Sequence, residues 1–337
     1  MKNWRFWLGL GISAASILFL IRTVDLPALG AALAGANPLL VLACFATVPV
    51  SMYLKAYRWR LFFPEPGRLS MPGLLRGLYI GYTVNAVAPL RAGEVVRAFL
   101  VGESERVSTS TAIATVVIEK ILDVGTMALF LFLLRFVIAL PDWAEAAALL
   151  SGVGLLAAIL GLGAVLAVQG PAIRLVAALE ARVPPLRRLR PTALLKSFLD
   201  GLAFARDARL LLIVVLWSVI MWLASALTIY LGLGALGIWE DPSVALFVLV
   251  VTNLGMAVPS APGYVGVFHS AVLVALEPFG VDASRALAAA IVLHATIFGA
   301  IILGGFYYLA AARRKAPAEG GIGGLVARAR STTHEAH

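Results

Sequence analysis

The chain has 337 residues, of which 61% are hydrophobic and 13% charged, and its mean hydropathy is +0.95. That balance excludes a soluble globular protein and leaves a polytopic membrane protein. The formal charge of +9 points to membrane orientation and not to a nucleic-acid partner, because basic residues crowd the loops on one side of the apolar segments.

Lys2 and Arg5 precede an apolar run from Phe6 to Ile21, which ends at Arg22 with no small-x-small cleavage site after it. The run reads as a retained first span and not as a removed leader. Further spans are predicted at 38–56, 109–138, 147–169, 210–237 and 286–312, each able to cover the roughly 20 residues a bilayer demands. Cys44, the single cysteine, lies in the second of these and excludes an intramolecular disulfide or a cysteine metal cluster.

Two more apolar stretches, 71–101 and 243–276, are interrupted near their centres. Asn85, Pro89 and Gly93-Glu94 break the first; Asn253, Pro259 and Pro262-Gly263 break the second. Straight helices of this length would run to roughly 45–50 Å, past a hydrocarbon core of about 30 Å, whereas two full crossings need about 40 residues. Backbone freed within a bilayer survives only where it is buried in protein or lines a polar cavity. Each stretch is therefore predicted to be a re-entrant helical hairpin.

Charge placement supports the hairpins. With a cytoplasmic N-terminus, 2 basic residues at the N-terminus, 8 in 55–106, 8 in 170–209 and 5 after 312 fall inside, while Arg22, Arg135 and Arg285 fall outside and Lys120 lies within a span. If both stretches crossed, 170–209 would lie outside, against the positive-inside tendency. Residues 1–140 and 146–312 then share the order span, span, hairpin, span. Three crossings make the second copy inverted, so the hairpins enter from opposite sides and their tips meet near the midplane. The alternative is a bundle with two proline-kinked helices and no pathway.

The expected fold is thus an all-α polytopic membrane protein of the inner membrane, with six transmembrane helices, two re-entrant hairpins in an inverted repeat, and both termini cytoplasmic. Residues 1–316 form the membrane domain. Within it, 171–209 is a linker whose Leu194, Leu195, Phe198, Leu199 and Leu202 recur at helical spacing beside Arg187, Arg188, Arg190 and Lys196. This composition suits the inner surface and its anionic lipids, or a plain basic loop where the prolines of 182–191 fall. The tail, 317–337, is expected to be disordered.

The candidate site residues gather at the breaks. Arg91 offers a planar fork suited to phosphate, Glu94 opens a half-helix, and Arg97 lies one turn further on. They either hold a lipid headgroup or make an internal Glu94–Arg97 ion pair. In the second hairpin, Tyr264 and His269 flank backbone amides near Gly263 and Gly266 that could cradle an anion. His269 serves either as a packing residue or as a proton relay, and Tyr264 either lines the site or belongs to an interfacial belt. Glu119 and Asp123, four apart on one helical face beside Lys120, read as a proton-coupling pair or as a network neutralised by Lys120 or Arg97. His294 occupies the comparable position in the second half.

The stretch Asn-x-x-x-Pro-x-Arg-x-Gly-Glu at 85–94, Glu-Lys-x-x-Asp at 119–123 and Pro-x-x-Pro-Gly-x-x-Gly at 259–266 together resemble the flippase-like membrane domain of lysylphosphatidylglycerol synthases. The resemblance covers nearly the whole membrane region and implies lipid translocation. Some members are fused to a soluble aminoacyl transferase; none follows Arg313, so lipid aminoacylation by this chain alone is not expected. His294 departs from the resemblance, since many relatives carry arginine there. No HExxH, GxSxG or Walker loop is found, so the sequence reading is a lipid transporter without cofactor or metal, and not an enzyme. Its partners would be a membrane lipid substrate and anionic inner-leaflet lipids. A membrane subunit or scaffold working with a lipid- or glycan-synthesis enzyme is the alternative.

Overall fold

The computed structural model describes residues 4–63, 65–88, 92–182, 191–201, 207–258 and 260–315. Among these there is no strand. The helices are α1 (Trp4–Thr23), α2 (Leu26–Ala34), α3 (Pro38–Arg60), α4 (Met71–Val87), α5 (Gly93–Ser104), α6 (Thr109–Leu134), α7 (Asp142–Arg182), α8 (Pro191–Gly201), α9 (Ala208–Ala235), α10 (Pro242–Gly255), α11 (Val267–Leu276) and α12 (Ala283–Lys315). Pro89, Arg91, Pro259, the arginines of 183–190, Leu202 and the tail lie outside the described residues.

Local chemistry sets the helix starts. Asn37, Ser70, Ser108, Asp207 and Asp241 each accept hydrogen bonds from amides of the turn that follows. Pro38 and Pro242 add a fixed φ where no amide donor is needed. The Ser243 hydroxyl and amide also hold the exposed Asp241 carboxyl below its usual range.

Among the described residues, four helical segments are long and apolar enough to cross a membrane: Pro38–Arg60, Asp142–Gly161, Arg209–Ala235 and Ala283–Ala312. A fifth forms if α1 and α2, bent by 91° between them, count as one span. The six predicted spans are therefore met only in part. Residues 109–134 are helical over 26 residues, yet Glu119, Lys120 and Asp123 at the helix centre set α6 apart from the apolar crossings. The predicted linker boundary at 171 is not a helix end either. Pro171 sits inside α7, which continues to Arg182; membrane helices tolerate proline where neighbours or local adjustment satisfy the freed carbonyl. The amphipathic segment is α8, which packs on α6 and α7 with Leu199 buried.

Both interrupted stretches fold back on themselves. The Ser70 amide and hydroxyl at the start of α4 donate to the Glu105 carboxylate, which follows α5, at 2.7 and 2.8 Å. The two open ends of α4 and α5 are thereby tied together. At the closed end the Asn85 side-chain oxygen accepts from the Gly93 amide at 2.8 Å. Between these points the helices are nearly in backbone contact: a Cβ on Gly93 would lie 1.8 Å from the Gly81 carbonyl oxygen. In the second stretch Phe247, early in α10, meets Phe279, just after α11, at 5.9 Å between ring centroids.

Packing relates the two halves. α3 lies against α9, α4 against α12 as α10 against α6, and α5 against α6 as α11 against α12. The tips meet where α4 contacts the turn Pro262–Tyr264. That turn rests on the middle of α1, since the Ala261 amide donates to the Ser13 hydroxyl at 2.8 Å. At one end of the molecule Asp25 meets Ser284, and the Asn37 amide donates to the Ala235 carbonyl at 2.8 Å. Leu150, Val153, Ile159 and Leu160 of α7 are exposed, as side chains facing lipid tails would be.

Candidate functional site

The site grows from α3. Pro49 within this helix does not end it, so the run continues to Arg60 and carries Lys55 and Arg58 into the packed interior. Arg58 is fully buried. Its Nη2 lies 2.6 Å from Asp123 Oδ1 and 4.0 Å from Glu119 Oε1, and its Nη1 donates to the Ser218 hydroxyl at 3.2 Å. Arg97, buried on α5, donates from Nη1 to both oxygens of Glu119 at 2.9 and 3.2 Å. The Trp59 ring supports the Arg97 guanidinium at 4.9 Å. Two arginines and two carboxylates from three helices thus neutralise one another where isolated charges would be prohibitive.

The Glu94–Arg97 pair that the sequence left as the alternative does not form. Arg97 turns to Glu119, and Glu94 instead meets Lys120 at 3.1 Å. The reason is tertiary: α6 packs against α5 and presents Glu119 and Lys120 to it.

Beside this network lies a cavity of about 320 Å³. Asn85, Glu94, Lys120 and Asp123 line one part, and Thr228, Thr252, Asn253 and Tyr264 another, together with Lys55 of α3, Tyr82 of α4 and Trp222 of α9. The Lys55 ammonium donates to the Tyr82 hydroxyl at 2.9 Å and lies 5.0 Å from the Trp222 ring. Apolar residues such as Met127, Leu249 and Ile301 complete the wall. The space is amphipathic, with charge and hydroxyls set in an otherwise apolar lining, as a lipid headgroup site requires.

Of the predicted residues, Asn85, Glu94, Asp123, Asn253 and Tyr264 line the cavity. Glu119 and Arg97 lie behind it, in the ion-pair network. Gly93 permits the close approach of α4 and α5. Gly263 and Gly266 adopt φ of +73° and +86°, which shape the second tip. The amides there are not all free, however: Tyr264 N–H donates to Ala261 and Ala261 N–H to Ser13. The expected anion cradle is to that extent used up inside the fold. Pro262 opens the same turn.

The two histidines come together although 25 residues separate them in sequence. Their rings are 4.9 Å apart, and His294 Nε2 donates to the Gly263 carbonyl at 2.8 Å. Phe298 stacks on His294 at 4.4 Å. They brace the second hairpin beside the cavity; neither lines it.

The sequence reading missed Lys55, Arg58 and Trp222. Lys55 and Arg58 looked like the basic flank that commonly follows a span on the cytoplasmic side. Their spacing from Ser51 held the available signal, since 51, 55 and 58 share one helical face.

The family described as the transmembrane region of lysylphosphatidylglycerol synthase matches residues 6–305. The chain belongs to that family. It is a multi-pass membrane protein. It is also similar to glycosyltransferase AglD of Haloferax volcanii, at 29% identity over 88% of this chain and 53% of the relative. The chain thus spans about half the length of that curated relative. The reading that no enzymatic activity is involved is overturned by this finding, because a family relative aligned along most of the chain bears the name of an enzyme. Sequence motifs could not reveal this, as the searched patterns cover only a few reaction classes. No solved structure matches the chain.

Proposed function

We propose that this protein takes the polar headgroup of a membrane lipid into the cavity between its two hairpins and moves it between leaflets of the inner membrane. In this reading α4–α5 enters from the cytoplasmic side and α10–α11 from the other, both termini are cytoplasmic, and residues 1–140 and 146–312 are inverted copies. α6 completes the crossings, its charges shielded by α3 and α5. The observation that carries the proposal is the amphipathic cavity at the meeting point of the hairpins, lined by Asn85, Glu94, Lys120 and Asp123 from one half and Asn253 and Tyr264 from the other. Oppositely inserted broken helices meeting at such a site are the general pattern of alternating-access carriers.

The Glu94–Lys120 pair is the natural gate. It is partly exposed, with 24% and 36% of the side chains accessible, so opening it costs little, whereas the Arg58–Asp123 and Arg97–Glu119 pairs each have at least one fully buried partner. Leaflet exchange by purified protein in liposomes, over a panel of labelled phospholipids and glycolipids, tests the reading. Exchange above protein-free liposomes that is lost in Glu94→Lys is expected; no exchange of any lipid would end the proposal.

The name of the Haloferax volcanii relative favours a second reading, in which the same cavity presents a lipid to a glycosyl-transfer reaction. Sugar incorporation into lipid by membranes containing the protein, without leaflet exchange, would select it.

A further inference from the structure

The charges around the cavity do not balance. Among the described residues, Lys55, Arg58, Arg97 and Lys120 face Glu94, Glu119 and Asp123. Three cations are matched to carboxylates within 3.1 Å. Lys55 has the Tyr82 hydroxyl and two aromatic faces, those of Tyr82 and Trp222. It lines the cavity and, among the described residues around it, carries the one positive charge left over.

Two residues of the same wall each carry a buried donor that has no acceptor among the described residues. Ser51 lies four residues before Lys55, on the same face of α3, and its hydroxyl is buried with no hydrogen-bond partner. The indole Nε1–H of Trp222 is likewise buried and unpartnered. Both residues line the cavity. Buried donors left without acceptors are rare and costly, and a cation beside two of them calls for a ligand that supplies acceptor oxygens and one negative charge.

We infer that Lys55, with Ser51 and Trp222, is the recognition point for a singly charged phosphodiester in a lipid headgroup, and that it makes the cavity prefer net-anionic lipids over zwitterionic ones. Arg97, which the sequence offered together with Arg91 for the headgroup phosphate, is already neutralised by Glu119. The inference rests on reading the cavity as a headgroup site, and the experiment separates the two.

Trp222 supplies the optical signal. The full chain, purified in a neutral detergent, is titrated with dihexanoyl phosphatidylglycerol, dihexanoyl phosphatidylcholine and inorganic phosphate while tryptophan fluorescence is followed, with Trp222→Phe identifying the contribution of that ring. Phosphatidylglycerol should bind at least about tenfold more tightly than phosphatidylcholine, because both bring one phosphodiester anion to Lys55 but phosphatidylcholine also brings an ammonium that the cavity leaves unmatched. Lys55→Gln should abolish that preference by weakening phosphatidylglycerol binding about tenfold, and Lys55→Arg should keep it. Ser51→Ala, a smaller change that carries the test if Lys55→Gln does not fold, should weaken phosphatidylglycerol binding several-fold. Equal binding of the two lipids, or undiminished preference in Lys55→Gln, overturns the assignment and leaves the cavity reading intact. Displacement of phosphatidylglycerol by equimolar inorganic phosphate makes this a free-phosphate site and overturns the lipid assignment. Binding of neither lipid overturns the cavity reading and this inference with it.

Discussion

Arg58 is the residue on which the buried charges depend, because it neutralises Asp123 and stands within 4.0 Å of Glu119. Replacing it with methionine preserves the volume but leaves Asp123 buried without its cation. A loss of about 3–5 kcal/mol is expected, read as a lowered unfolding midpoint in detergent, and Asp123→Asn in the same chain should recover part of it. Glu94 and Lys120 differ because water reaches them. Glu94→Lys should change stability by no more than about 1 kcal/mol yet stop leaflet exchange by placing two cations together at the gate, and the exchanged pair Glu94→Lys with Lys120→Glu should restore it. Stability and transport are therefore separable within one cluster, and measuring both on the same variants checks this.

Among the elements, the α4–α5 hairpin depends on the absence of side chains where the two helices meet. Gly93→Ala places a methyl group against the Gly81 carbonyl, and the helices must separate. Overpacking of this kind costs about 1–3 kcal/mol, and the shift would carry Glu94 away from Lys120. Gly125 of α6 provides the contrast, since a Cβ there meets nothing within 4 Å. Gly125→Ala should be neutral or stabilise by about 0.5–1 kcal/mol through lower backbone entropy. Thermal unfolding of the two variants side by side tests whether close packing, and not glycine itself, is what the hairpin needs.

For the whole molecule, the topology is open to labelling because Cys44 is the single cysteine and is buried. On a Cys44→Ala background, single cysteines at the exposed Glu65 and Arg106, which flank α4–α5, should react from the same face of the membrane. Cysteines at the exposed Asp241 and Asp282, which flank α10–α11, should react only from the other. Labelling of Glu65 and Arg106 from opposite faces would make α4–α5 a crossing and dismantle the inverted-repeat proposal.

Sequence alone determined that the chain lives in a membrane, that it is helical, and that 71–101 and 243–276 are interrupted. Those properties follow from hydropathy, residue spacing and the backbone demands of proline and glycine, all of which act locally. The family could be read as well, because its motifs are contiguous. Tertiary structure decided the partners. Glu94 reaches Lys120 and Arg97 reaches Glu119 because α5 packs on α6, and the histidines meet because α11 lies on α12. It also decided which charges are spent: Arg58 and Lys55 sit one turn apart on one helix, yet Arg58 is paired and Lys55 faces the cavity. Spacing along a chain cannot express that difference, because the cost of a buried charge is set by what the rest of the fold places beside it.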